Sequence, residues 1–173
     1  MQFDLNKSLE ILERTPVVIK GLLSGISTDW TSSNEGENTW SPFDIVGHLV
    51  HGEEVDWLPR TKIILQHGNS QPFEPFDRFA QFEKSKGKSL NQLLDEFEQL
   101  RTANLKELRV LNIMDDDLSK TGMHPGLGKI TLQNLLSSWT VHDLGHIVQI
   151  SRVLAKQYTS EVGPWTQYMA VLK

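Results

Sequence analysis

Residues 131–156, TLQNLLSSWTVHDLGHIVQISRVLAK, hold the pattern that decides the fold. Thr131 suits a helix N-cap, and Leu132, Leu135, Leu136, Trp139, Ile147, Ile150 and Leu154 then recur every three or four residues. That spacing predicts one long helix ending near Lys156, with a continuous apolar face. His142 and His146 stand four apart within it. On a helix, both imidazoles leave the same face, close enough to share one ion. Their apolar neighbours turn that face inward.

Three further helices are expected upstream. The first starts at Asp4 as N-cap and carries Leu5, Leu9, Leu12, Ile19, Leu22 and Leu23. Thr15-Pro16 predicts a kink or restart in it, because proline removes a backbone donor and restricts the residue before it. A polar loop follows over 27–39. Ser41-Pro42 then reads as N-cap and first turn of a second helix to about Gln66, with Asp44 favoured by the helix dipole and Pro59 expected to bend the later half. The segment 67–88 carries two prolines, two glycines and Phe73, Phe76, Phe79 and Phe82. It reads as a long crossover whose phenylalanines pack on the bundle. Ser89 and Gln92 form a capping-box pattern opening a third helix along Leu90, Leu93, Leu94, Phe97, Leu100, Leu105 and Leu108, ending near Asn112. Asp115-Asp116-Asp117 is read as an acidic loop, 124–129 as a glycine-rich loop, and the residues after Pro164 as a short last helix. No strand alternation or internal repeat stands out. The expectation is an all-α, four-helix bundle in one domain spanning 1–173.

Composition narrows the function. A net charge of −5 with no cluster of lysine or arginine argues against nucleic acid or anionic membrane as partners, leaving small molecules or proteins. There is no cysteine, so a thiol nucleophile and a disulfide framework are excluded, and a metal must be held by nitrogen and oxygen. Asp4, Lys7 and Glu10 break up the first ten residues, which therefore offer no apolar leader. A cytoplasmic location is the expectation.

His48 lies among Ile45, Val46, Leu49 and Val50, on the second helix. Taken singly, each histidine also fits a core residue satisfied by a hydrogen bond. Together, His48, His142 and His146 supply three nitrogen ligands from two helices and leave positions free for water or substrate, as in catalytic zinc sites. Zinc is the first choice of ion, with nickel, iron or manganese also suited to imidazole. His51, one turn from His48, is a neighbour, a substrate contact or surface. Asp143 points about 100 degrees from the proposed ligands, which suits helix pairing or support of the site. Gln149, seven residues past His142, shares its face and is placed to orient a ligand or bound water. Glu53 and Glu54 read as a solvated face, and His67 and His124 as solvated histidines.

Further motifs occur in a fixed order: Leu12-Glu13-Arg14-Thr15-Pro16, Trp40-Ser41-Pro42, Gly47-His48-Leu49, Trp57 followed by Arg60, His124-Pro125, Gly128, Thr131-Leu132, Leu135-Leu136, His142-Asp143-Leu144-Gly145-His146, Gln149 and Gly163-Pro164-Trp165. In these the chain resembles the DinB-like superfamily over nearly its whole length. The resemblance implies a bundle in up-down-down-up order, a homodimer, and a metal on the second-helix histidine and the last-helix pair, here His48, His142 and His146. Members with known activity include transferases using low-molecular-weight thiols and a thiol-dependent maleylpyruvate isomerase. The implied function is a divalent-metal-dependent, thiol-using transferase. A metal-dependent hydrolase and a non-catalytic, stress-associated metal-binding bundle are the alternatives.

Overall fold

The computed structural model describes residues 2–173. Four long helical elements form the bundle: α1 (Leu5–Leu23), α3 (Pro42–Val55) continued by α4 (Trp57–Gln66), α6 (Leu90–Val110) and α7 (Leu132–Lys156). Short helices α2 (Thr28–Ser32) and α5 (Ala80–Ser85) lie in the connections, and α8 (Thr159–Val162) follows α7. Among the described residues no helix is long and apolar enough to cross a membrane.

The side-chain contacts fix the helix directions. Lys20 pairs with Asp95 and Glu98 while Glu13 pairs with Arg109, so α1 and α6 run antiparallel. Glu53 meets Arg101 and Lys62 meets Glu107, while Ile45 and Leu49 share a core cluster with Leu93 and Phe97, so α3–α4 and α6 run parallel. Leu9 and Leu12 cluster with Leu132 and Leu135, and Ile19 and Leu23 with Ile150 and Val153, which sets α7 parallel to α1. The order is up, down, down, up. Two successive helices pointing the same way require the chain to travel back along the bundle between them, and residues 67–89 make that return.

Capping decides where the helices begin. Asp4 accepts from the Lys7 amide, and Ser41/Asp44, Ser89/Gln92 and Thr131/Asn134 all form reciprocal capping boxes. Several expectations are corrected. Pro16 does not break α1, which is helical from Leu5 to Leu23. The carbonyl that Pro16 cannot reach is that of Leu12, and Arg101 Nη1 donates to it at 2.8 Å, replacing the lost bond. The second helix is interrupted at Asp56 (φ −105°, ψ −80°), not bent at Pro59. Pro59 falls in the first turn of α4, where a missing N–H removes nothing.

Residues 121–131 form an antiparallel hairpin, Thr121–His124 with Gly128–Thr131, where a glycine-rich loop was expected. A strand of four residues is too short to show alternation. Gly122 is required there, since a Cβ would stand 2.8 Å from Ile64 and 2.9 Å from Phe73. Of the four crossover phenylalanines, Phe73 is buried and Phe76 half-buried, but Phe79 and Phe82 are exposed and stack on each other at 6.3 Å. Asp115–Ser119 is a 3-10 turn closed by Asp117, which accepts from the Met114 amide. A short α-helix, Thr159–Val162, precedes Pro164, and the helix expected after it takes 3-10 form, over Gly163–Tyr168 and Ala170–Leu172.

The expected solvated face at Glu53 is also wrong. Glu53 is 2% exposed and accepts from Arg101 Nη2 (2.8 Å), Asn104 Nδ2 (2.9 Å) and Trp139 Nε1 (3.2 Å). Arg101, 1% exposed, also holds Asp143 through two bonds of 2.6 and 3.0 Å. Its planar fork thus reaches α1, α3 and α7 from α6. Replacing Arg101 with Met leaves two buried carboxylates without their cation, and we expect urea denaturation to show a loss of about 3–5 kcal/mol. Adding Glu53→Gln and Asp143→Asn to that variant should recover a large part of the loss.

Candidate metal centre

The Ser41/Asp44 capping box fixes the first turn of α3, and His48 follows just under two turns on. Ile45, Val46, Leu49 and Val50 pack into the core beside it. Gly47 lets α5 approach closely: a Cβ there would stand 2.5 Å from Ser85 Oγ. On α7, His142 and His146 project one turn apart toward His48. The Nε2 atoms of His48 and His142 are 3.1 Å apart, and those of His142 and His146 3.0 Å.

That convergence is the central geometric fact. His142 Nε2 is in hydrogen-bond range of two other Nε2 atoms, and one imidazole nitrogen can donate or accept but cannot do both. Three neutral imidazole nitrogens brought this close can instead be satisfied together by one cation. An ion with metal–nitrogen bonds of about 2.0–2.1 Å sets its nitrogens roughly 2.9–3.4 Å apart between octahedral and tetrahedral angles. The observed spacing fits, and the three residues form a group able to hold a metal ion, with ligand atoms all within 4.8 Å of one another.

His146 Nδ1 lies 2.8 Å from Gln149 Oε1. An amide oxygen only accepts, so Nδ1 carries the proton and Nε2 presents its lone pair. The Nδ1 atoms of His48 and His142 are buried without a protein partner, and rings orient those side chains instead. Trp40 and Phe76 lie 4.8 and 5.5 Å from His48, and Trp57 lies 5.0 Å from His142 while stacking on Trp139.

All three imidazoles are held neutral. Burial, then the neighbouring His146, His51 and Arg78, pushes His48 down to about 3. Burial, then His146, His48 and Arg101, pushes His142 to about 2. Burial lowers His146 as well, opposed by Gln149 and Asp143. The neutral form is the one that ligates a metal. The histidines sit at the wall of an open cleft of about 560 Å³ shared with Trp40, Asp56, Arg60, Phe76 and Arg78.

The remaining sequence candidates separate. Gln149 belongs to the site through His146. Asp143 is fully buried against Arg101 and pairs helices. His51 is buried on α3 but lies apart from the three nitrogens, its Nδ1 3.1 Å from Lys84 Nζ and its ring 5.0 Å from Phe76. His124, expected in a solvated loop, ends the first hairpin strand and lines the cleft; its Nδ1 accepts from the Gly126 and Leu127 amides at 3.1 Å. His67 caps the end of α4 and is exposed. Asp56 and Arg78 went unnoticed in the sequence. The sequence carries no signal for either, although Trp40, next to the Ser41 cap and eight residues before His48, was readable.

Fold and site together define a helical bundle with an open three-histidine cluster between its second and last long helices. The chain belongs to the DinB superfamily, whose family model matches residues 11–150. No curated protein sequence matches it. Among solved structures it is similar to YfiT from Bacillus subtilis, described as a probable metal-dependent hydrolase with an unusual four-helix bundle topology, at TM-score 0.76 and 22% identity over 88% of this chain and 86% of that one. It is also similar to TT2238, a four-helix bundle protein, at TM-score 0.55 and 19% identity over 83% of this chain and 95% of that one.

Two outcomes follow from the geometry. Gln149→Ala frees His146 to rotate and change tautomer, and metal affinity should fall about 10-fold or more in a competition titration with a chelator. In metal-free protein the unfolded chain binds protons near pH 6.5 while folded His48 and His142 do not. Stability must therefore fall on acidification from pH 6.5 to 5, by up to about 1.4 kcal/mol per pH unit for each histidine. Urea titrations across that range should show the slope, and His48→Gln should reduce it by about half.

Proposed function

We propose that this chain is a divalent-metal-dependent enzyme acting on small molecules, and that it transfers a thiol to an electrophilic substrate. The observation that carries the reading is the convergence of three neutral Nε2 atoms on the wall of an open cleft. His48, His142 and His146 would hold the ion, zinc being the first candidate. When bound, such an ion supplies Lewis acidity, lowering the pKa of a thiol or water and polarising an electrophile.

The chain's own residues do the rest. Gln149 fixes the proton of His146 on Nδ1. Trp40, Phe76 and Trp57 pack on the imidazoles and keep water from their edges. Asp56, whose carboxyl burial pushes up to about 6 against the pull of Arg60, lines the cleft and titrates close enough to neutrality to take up a proton there. The volume suits a small molecule. The same reading includes a homodimer, supported by the exposed Val141, Leu144 and Val148 spaced three and four residues along α7.

Hydrolysis through the same residues is the second reading, favoured by the description of YfiT. The two differ in their need for a thiol. Protein purified without a nickel column should contain about one divalent ion per chain by elemental analysis, and His146→Ala should lose both the ion and turnover. Stoichiometric metal retained by that variant overturns the ligand set. Turnover that needs an added thiol supports transfer, and turnover without one supports hydrolysis.

A further inference from the structure

The cleft beside the histidines is cationic although the chain as a whole is not. Arg60, Arg78 and Arg152 line it against Glu35 and Asp56, in a chain of net charge −5. Two of these guanidinium groups are committed to the protein. Arg60 binds Asp56 at 2.7 Å and donates to the Glu74 carbonyl at 3.1 Å, and Arg152 donates to both oxygens of Glu35.

Arg78 differs. Of the six arginines, Arg14, Arg60, Arg101, Arg109 and Arg152 all donate to a carbonyl or carboxylate. Among the described residues Arg78 alone has no such acceptor. Its guanidinium is instead held by rings, 5.3 Å from the centre of Trp40 and 5.4 Å from that of Phe79. Trp40 also packs on His48, so one indole separates the free guanidinium from the histidine cluster. The two rings hold the guanidinium while leaving its N–H groups without a carbonyl or carboxylate acceptor, so the fork is free to receive a planar anion.

We propose that Arg78 is the anion-binding residue of the cleft, taking the carboxylate of a small-molecule ligand whose reacting group lies at His48, His142 and His146. The placement of the reacting group rests on the metal-dependent reading above, whereas the carboxylate contact does not. Arg78 reads the charge of the ligand; Trp40 sets the distance between the two contacts.

The test titrates zinc-loaded wild type, Arg78→Gln and Arg78→Lys with 3-mercaptopropionate and with its uncharged amide, by calorimetry. In wild type the acid should bind about five- to tenfold more tightly than the amide. That preference should fall to within about twofold in Arg78→Gln and be partly kept in Arg78→Lys, with the amide binding wild type and Arg78→Gln alike. Equal binding of acid and amide by wild type overturns the proposal. So does a preference that survives in Arg78→Gln, which would place the carboxylate elsewhere, or failure of both compounds to bind wild type. Repeating the titrations after chelation separates the two readings: unchanged affinity for both compounds counts against the metal-dependent one, while the acid-to-amide ratio still reports on Arg78.

Discussion

One buried guanidinium ties this bundle together. Arg101 rises from α6 and meets the Leu12 carbonyl of α1, Glu53 of α3 and Asp143 of α7, so each of the other three long helical elements gives it an acceptor. The acceptor on α1 exists because Pro16 leaves that carbonyl free, which makes an apparent helix-breaker part of the interior wiring. A desolvated ion cluster of this kind adds little net stability over apolar packing, but it tolerates few alternative alignments. It sets the register and rotation of four helices with respect to one another.

The histidines depend on that alignment. Asp143 adjoins His142, so binding Asp143 to Arg101 fixes the rotation of α7 and aims His142 and His146 along the neighbouring direction, about 100 degrees around the helix. Glu53 does the same for α3, one and a half turns beyond His48. A shift of α7 by one residue that carried Asp143 into the cleft would turn His142 out to the exposed position now held by Val141. The interior ion cluster and the nitrogen cluster are thus two readouts of one helix arrangement.

Much of this was legible in the chain. The spacing of apolar residues around Thr131–Lys156, the caps at Ser41, Ser89 and Thr131, and the two-helix origin of the three histidines all follow local rules, and the structure agrees with them. What escaped was non-local. Nothing near Glu53 in the sequence announces a partner 48 residues away, so two adjacent glutamates read as a solvated face although one is buried. Pro16 was expected to kink α1 because Arg101, which replaces its hydrogen bond to the Leu12 carbonyl, lies 89 residues beyond Leu12. The hairpin was hidden by its brevity, and Arg78 by the crossover, where no periodicity says which side chain turns toward the cleft.

The crossover has an evolutionary consequence. It exists because α3–α4 and α6 run parallel, and it delivers Phe76 and Arg78 to the cleft without contributing any of the three histidines. The entropy of closing such a connection grows only with the logarithm of its length. Its exposed residues can therefore be exchanged, and its length can grow, while the four long helical elements and their histidines stay in place. A bundle built this way keeps its three histidines on the long helices and part of the cleft wall on the crossover, two stretches of chain free to diversify at different speeds.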